Sequence, residues 1–268
     1  MNRKIGFIGC GSMAKAMIGG IVKSGIASPE QIYASNRSRP SLDEMNQIYG
    51  IHVTQDNLVV ARECEIVFLA VKPDLYSQVI DQIKDEVQEN AILIMIAAGQ
   101  TIQQNEARFG RKVKLARTMP NTPVLVREGM TAVACNEQIT EEDKREIQAV
   151  LESFGKAEFV DESLMDVVSG VSGASPAYAY MFIEALADGA VLQGMPRKQA
   201  YSFASQAVLG AAKMVLETGI HPGELKDQVC SPGGATIEAV ASLEESGLRS
   251  AVIKAVAACV EKSKGMSV

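Results

Sequence analysis

The chain has 268 residues, 47% hydrophobic and 22% charged, a balance that excludes a disordered chain and suggests one large domain or two ordinary ones. With 26 Lys and Arg against 32 Asp and Glu, the net charge of −6 argues against nucleic acid or an anionic membrane as partner, since both need clustered cations. Two distant histidines (His52 and His221) and five scattered cysteines without C-x-x-C spacing offer no metal site, disulfide framework or Ser/His/Asp triad. The N-terminal stretch MNRKIGFIGCG breaks into glycines and lacks the cleavage pattern of a signal peptide. The longest uncharged run, Val167 to Ile183, contains glycines and Pro176 and falls short of the ~20 apolar residues that span a bilayer. A cytoplasmic protein without metal is expected.

In chain order, Lys4–Gly9 reads as a buried strand and Ser12–Ser24 as the helix after it. Gln31–Asn36 and Ile51–Thr54 read as the next two strands. Glu65–Val71 and Ala91–Ala98 are almost continuous apolar runs, as parallel strands covered on both faces require. Pro73 opens the helix after the first of these, and Gly99 punctuates the exit of the second. Val113–Met119 and Met130–Cys135 supply two more strands. Thr140 begins T-E-E-D, a cap followed by acids, and predicts a helix to about Phe154. Strands alternating with helices predict a doubly wound α/β sheet over residues 1–160. Beyond Val160 the strand signal stops, and Asp161–Met195, Pro196–Glu217, Gly223–Val229, Pro232–Ser246 and Gly247–Lys264 read as helices. Residues 161–268 are therefore expected to be an all-α domain, whose small, uncharged residues suit packing against a second copy.

Gly9-Cys10-Gly11-Ser12-Met13-Ala14 lies between a strand and a helix, the context that a dinucleotide-binding turn requires. Gly9 makes the turn, Gly11 lets a pyrophosphate approach, and Ala14 permits close helix–strand packing. The same G-x-G-x-x-A also serves as a plain structural turn. An NAD site usually ends its second strand in Asp or Glu, but here the run is Ser35-Asn36-Arg37-Ser38-Arg39. Hydroxyl, amide and guanidinium groups suit a 2′-phosphate, so NADPH is expected over NADH. Ala70-Val71-Lys72-Pro73 and Ala97-Ala98-Gly99 are small or tightly turned and suit close passage of ribose and nicotinamide. Lys72 reads as a phosphate or ribose contact or as a surface lysine. Ser231-Pro232-Gly233-Gly234-Ala235-Thr236 reads as a helix start with Ser231 as cap, its open N–H groups ready for a small carboxylate.

GFIGCGSMA, FLAVKP, MPNTP, SGASPAYAY and LKDQVCSPGGATIEA together resemble pyrroline-5-carboxylate reductases in order and spacing, over nearly the whole chain. The resemblance implies reduction of 1-pyrroline-5-carboxylate to L-proline with NADPH or NADH, the last step of proline synthesis. It implies a Rossmann domain joined to a helical dimerisation domain, with dimers often gathered into decamers. Carried over by motif, Gly9, Gly11, Ser12, Met13 and Ala14 form the phosphate loop. Ser35, Asn36 and Arg37 surround the adenosine phosphate, and Asn57 reaches the adenosine. Ala70, Val71, Lys72, Pro73, Ala97 and Ala98 line ribose and nicotinamide. Ser231, Gly233, Gly234, Ala235 and Thr236 hold the substrate, with Glu162 near its ring and Thr236 at its nitrogen. One departure is Ser175, which stands where the family commonly has glycine.

Two other readings share parts of this pattern. A β-hydroxyacid dehydrogenase would carry G-x-x-G-x-G-x-x-x-K-x-x-x-N; Gly170 and Gly173 fit, but Ser175, Ala179 and Ile183 stand in place of Gly, Lys and Asn. A dinucleotide-binding regulatory protein without turnover would have no use for the Ser231–Thr236 receptor.

Overall fold

The structure, a computed structural model, describes residues 1–265. Contacts divide the chain into two compact units, Met1–Gly173 with the segment from Cys259, and Ala174–Ala258. The first unit runs β1 (Ile5–Ile8), α1 (Ser12–Ser24), β2 (Ile32–Ser35), α2 (Arg39–Tyr49), β3 (His52–Thr54), α3 (Asn57–Glu63) and β4 (Ile66–Leu69). It continues with α4 (Tyr76–Ile83), β5 (Ile92–Met95), α5 (Ile102–Phe109), β6 (Lys114–Met119), β7 (Gly129–Cys135), α6 (Glu141–Glu152), β8 (Gly155–Phe159) and the short α7 (Met165–Val168). The strands form one sheet in the order β3-β2-β1-β4-β5-β6-β7-β8, parallel throughout except that β7 runs against β6. This is the doubly wound, Rossmann-type α/β fold.

Why the central strands read as continuous apolar runs is visible in their packing. Ile5 and Phe7 of β1, Ile66 and Phe68 of β4, and Ile92 and Ile94 of β5 join one buried cluster with α1, α2 and α6. Their neighbours Ile8, Val67, Leu69, Leu93 and Met95 face the other way, into a cluster with α3, α4 and α5. Strand period two thus feeds two cores, and each fully buried large side chain contributes about 1.5–3 kcal/mol. Phe7 and Phe68 stack with ring centroids 4.6 Å apart. The chain leaves β1 for β2 on one side and later enters β4 on the other. The strand order therefore reverses between β1 and β4, and a crevice opens at their carboxyl ends, where α/β sheets bind ligands.

Two readings of this unit need amendment. Gly155–Phe159 is an eighth strand; its run GKAEF alternates between half-buried and exposed positions because β8 is a sheet edge, so no apolar run announces it. The single helix expected over Asp161–Met195 is broken into pieces. A one-turn 3-10 helix (Glu162–Leu164) leads into α7, a π-helical turn follows at Ser169–Gly173, and α8 (Ser175–Leu192) starts afresh with Pro176 in its first turn. Ser263, near the end of the chain, donates to Asp166 Oδ1 of α7 at 2.7 Å and ties that end to the first unit.

The second unit is helical: α8, α9 (Arg197–Thr218), α10 (Pro222–Gln228), α11 (Ala235–Glu245) and the first part of α12 (Leu248–Lys264). Between α8 and α9 the chain reverses at Gly194, whose φ of +95° is left-handed. The two helices pack through Ala187, Ala200 and Ala204, the buried residues at their contact. Much of the rest is open: Met181, Phe203, Leu216 and Ile253 are about two-thirds exposed. Among the described residues, no helix is long and apolar enough to cross a membrane.

Candidate active site

The two glycines of the β1–α1 turn have different physical duties. Gly9 has φ +102°, and a Cβ built on it would stand 2.4 Å from the Ala70 carbonyl oxygen, so the fold itself demands glycine there. Gly11 has ordinary extended dihedrals, and a Cβ there would meet no protein atom within 4 Å. Its bareness serves no internal packing; it leaves room in front of the start of α1. That start has no side-chain cap and no acid in its first turn, and Gly11 and Ser12 are exposed. Met13 is half-buried and Ala14 is buried against the sheet. Burial pushes the Cys10 thiol above its ordinary pKa, so the residue between the glycines stays uncharged and does not repel an anion. A helix start with unpaired N–H groups and clear space before it fits a phosphate group.

A cavity of about 410 Å³ adjoins this turn. The structure brings Gly9, Asn36, Arg37, Asn57 and Val71 into its wall, together with Gln55, Gln78 and Gln82. Asn36 Oδ1 accepts from the Cys10 amide at 3.5 Å, and its Nδ2 donates to the Ser38 carbonyl at 3.1 Å, so its amide braces the loop after β2. Gln55 holds the same loop by donating to the Arg37 carbonyl at 2.8 Å. The Arg37 side chain is exposed, and no carboxylate stands at the end of β2. Ser35 does not line the cavity: it is wholly buried, and its hydroxyl donates to Asn57 Oδ1 at 2.7 Å. Asn57 in turn donates to Gln82 Oε1 at 2.9 Å. Ser35 therefore sets the orientation of Asn57. Gln78 and Gln82 were not singled out from sequence; their spacing of four on one helix face was the available signal.

The ends of β4 and β5 supply the segments expected to pass close to a ligand. Ala70 donates its amide to the Ile8 carbonyl at 2.8 Å, Lys72 is exposed, and Pro73 opens a single 3-10 turn before α4. Ala97 is buried and Ala98 half-buried, before Gly99 at φ +73°. Glu162 is engaged within the first unit. Its Oε1 accepts from Arg117 Nη1 at 3.0 Å and from the Ile102 amide at 2.9 Å, which joins β6 to the start of α5.

In the second unit the Ser231–Thr236 segment differs from the expected helix start. Ser231 is not the cap. The Gly234 amide donates to the Ser231 carbonyl at 3.0 Å, closing a turn over Pro232 and Gly233. Gly233 has φ +68°, which no residue inside a right-handed helix adopts, so α11 begins only at Ala235 with Gly234 as its cap. A Cβ on Gly234 would lie 2.4 Å from Ser231 Oγ, so the hydroxyl is packed over the glycine. The cap has no side-chain bond, and Thr236 sits in the first turn of α11.

A family model described as "Pyrroline-5-carboxylate reductase dimerisation" matches residues 162–266, and one described as "NADP oxidoreductase coenzyme F420-dependent" matches residues 4–99. The pyrroline-5-carboxylate reductase of Escherichia coli K12 is 49% identical over 267 residues, covering 100% of this chain and 99% of its own. The chain belongs to the pyrroline-5-carboxylate reductase family. Solved structures of that family agree with its fold. The Coxiella burnetii pyrroline-5-carboxylate reductase has a TM-score of 0.95 at 35% identity, with 100% of both chains covered. The Plasmodium falciparum pyrroline carboxylate reductase, solved with NADP bound, has a TM-score of 0.88 at 33% identity, covering 100% of this chain and 99% of that one.

Proposed function

We propose that this reductase converts 1-pyrroline-5-carboxylate to L-proline, with NADPH as the preferred reductant and NADH as the alternative. The full-length similarity to reductases of that name carries the reading. The residues support it from below. Residues 1–160 serve as the dinucleotide-binding domain and 161–268 as the substrate-binding and dimerisation domain.

When bound, the nicotinamide supplies the hydride. The chain's own residues bind and orient. The amides of Gly11, Ser12, Met13 and Ala14, beyond the turn set by Gly9, take the pyrophosphate. Asn36 and Arg37 take the 2′-phosphate, which an acidic residue at that place would repel. Asn57, oriented by Ser35, meets the adenosine. Ala70, Val71, Lys72, Pro73, Ala97 and Ala98 line the ribose and nicotinamide.

Ser231, Gly233, Gly234 and Ala235 hold the substrate carboxylate at the start of α11, where the helix dipole contributes about 0.3–1 kcal/mol. Thr236 hydrogen-bonds the ring nitrogen and is the catalytic residue, while Glu162, fixed by Arg117, belongs beside the ring. A protonated imine takes the hydride's electron pair at carbon and leaves a neutral amine, so no side-chain acid is required. The helical domain forms a homodimer, with dimers gathered into decamers, and the enzyme works in the cytoplasm. Five free cysteines suit that compartment.

The deciding experiment adds 1-pyrroline-5-carboxylate to the purified chain with NADPH. Oxidation of NADPH with equal formation of proline is expected, and 3-hydroxy acids with NADP should give none. Replacing Thr236 (Thr236→Ala) should lower kcat/KM for the imine by about ten- to a hundredfold and leave NADPH affinity unchanged. Unaltered kinetics would remove Thr236 from its role, and NADPH binding without oxidation would favour a regulatory protein.

A further inference from the structure

Tyr76, the first residue of α4, is 1% exposed, and neither the motifs nor the mechanism above use it. Its hydroxyl donates to the Leu69 carbonyl at 2.6 Å and accepts from the Ile96 amide at 3.1 Å and the Ala97 amide at 3.2 Å. These three groups are backbone atoms at the ends of two adjacent parallel strands. β4 and β5 pair from Ile66 with Ile92 to Leu69 with Met95. Their ladder begins with the Ile92 amide donating to the Glu65 carbonyl at 2.8 Å. A parallel ladder advances by two residues per rung, so the rung expected after Leu69 joins the Ile96 amide to the Leu69 carbonyl. The tyrosine hydroxyl stands in that rung. It replaces one direct strand–strand bond by two bonds through an oxygen, which parts the strands while keeping every polar group satisfied.

The parted ends lead directly into Ala70–Pro73 and Ala97–Gly99. We propose that Tyr76 is a positioning residue for the cofactor's nicotinamide end: its hydroxyl wedges β4 from β5 and holds the two segments at the separation that admits the ribose and nicotinamide. The proposal rests on the assignment of those segments under Proposed function. Without the hydroxyl, the strands either close the direct rung and narrow the gap or leave the Leu69 carbonyl and Ile96 and Ala97 amides unpaired. Both outcomes disturb the nicotinamide end and spare the adenosine end, which is held by Asn36, Arg37 and Asn57.

The substitution Tyr76→Phe removes the oxygen and keeps the ring in its buried place. Affinity is measured for NADPH and for 2′,5′-ADP, which carries only the adenosine and 2′-phosphate. The expected result is about tenfold weaker NADPH binding, with 2′,5′-ADP affinity held within about twofold. Equal weakening of both, or no change in NADPH affinity, would overturn the proposal and leave Tyr76 a core residue. Failure of the unsubstituted protein to bind either compound would instead overturn the dinucleotide reading beneath it. Amide exchange on the unsubstituted protein gives a test independent of folding of the variant. NADPH should slow exchange at Ile96, Ala97 and residues 70–72 while 2′,5′-ADP does not, as a nicotinamide beside the segments that Tyr76 holds requires; equal slowing by both would remove the nicotinamide from those segments and overturn the proposal.

Discussion

In Met1–Gly173 the side chains of Ile5, Phe7, Phe68, Leu93 and Ile94 have no exposure at all, and two layers of helices cover the sheet that carries them. In Ala174–Ala258 the buried apolar residues are three alanines, while Phe203, Met181 and Leu192 stand open to solvent. Both units come from one sequence of ordinary hydrophobic content, so the difference lies in where the apolar side chains point. The first unit spends them on its own core. The second spends small residues between its helices and turns large ones outward, which is the pattern of a surface completed by another chain. The match of residues 162–266 to a dimerisation family agrees with that pattern.

Phe68→Ala removes a stacked, fully buried ring from the first unit and should cost about 3–5 kcal/mol in denaturant unfolding. Phe203→Glu, in the second unit, should leave secondary structure intact yet weaken self-association by about a hundredfold, read by light scattering across concentration. An unchanged molar mass would break the contrast between the units.

Asp143 is 1% exposed and accepts from Lys114 Nζ at 2.9 Å, from the Thr140 amide at 2.9 Å and from the Thr140 hydroxyl at 2.7 Å. Burial opposes its ionisation, but the bonds from Lys114 and Thr140 outweigh it and hold the carboxyl below its usual range. A folded pKa below the unfolded one means that the stabilisation is complete above about pH 4 and fades as pH falls through the folded value. Asp143→Asn should therefore cost about 1–3 kcal/mol at neutral pH and flatten the acid side of the stability profile. The exposed pair of Asp188 with Arg197 in the second unit is screened by water, so Asp188→Asn should change stability little. Smallest in stability is Gly11→Ala, whose new methyl meets no protein atom. Melting should be unchanged while NADPH binding weakens about tenfold, measured by fluorescence titration.

How much of this was legible in the sequence follows the same division. β1, β4 and β5 announce themselves because strands buried on both faces must be apolar at every position, and the T-E-E-D start of α6 names its own cap, Thr140. β8 was missed because an edge strand keeps Lys156 and Glu158 outward and shows no apolar run. Ser231-Pro232 was misread because that pair begins both helices and turns, and the left-handed Gly233 that decides between them is a backbone angle, not a residue type. The glycine turn, Asn36, Arg37 and Val71 were legible because they follow strand ends, whereas Asn57 was implied only by the family resemblance; the structure brings all of them to one cavity wall. Tyr76 was not legible, since a tyrosine at the start of an amphipathic helix reads as core. Its partners lie 7, 20 and 21 residues away, joined to it only by the sheet.

Isotope transfer follows the hydride from NADPH to the imine carbon. With NADPH carrying deuterium at the transferable C4 position, the proline formed from 1-pyrroline-5-carboxylate should hold one deuterium at C5, read by mass spectrometry. Proline without deuterium, or no proline from an enzyme that binds NADPH, would contradict the account.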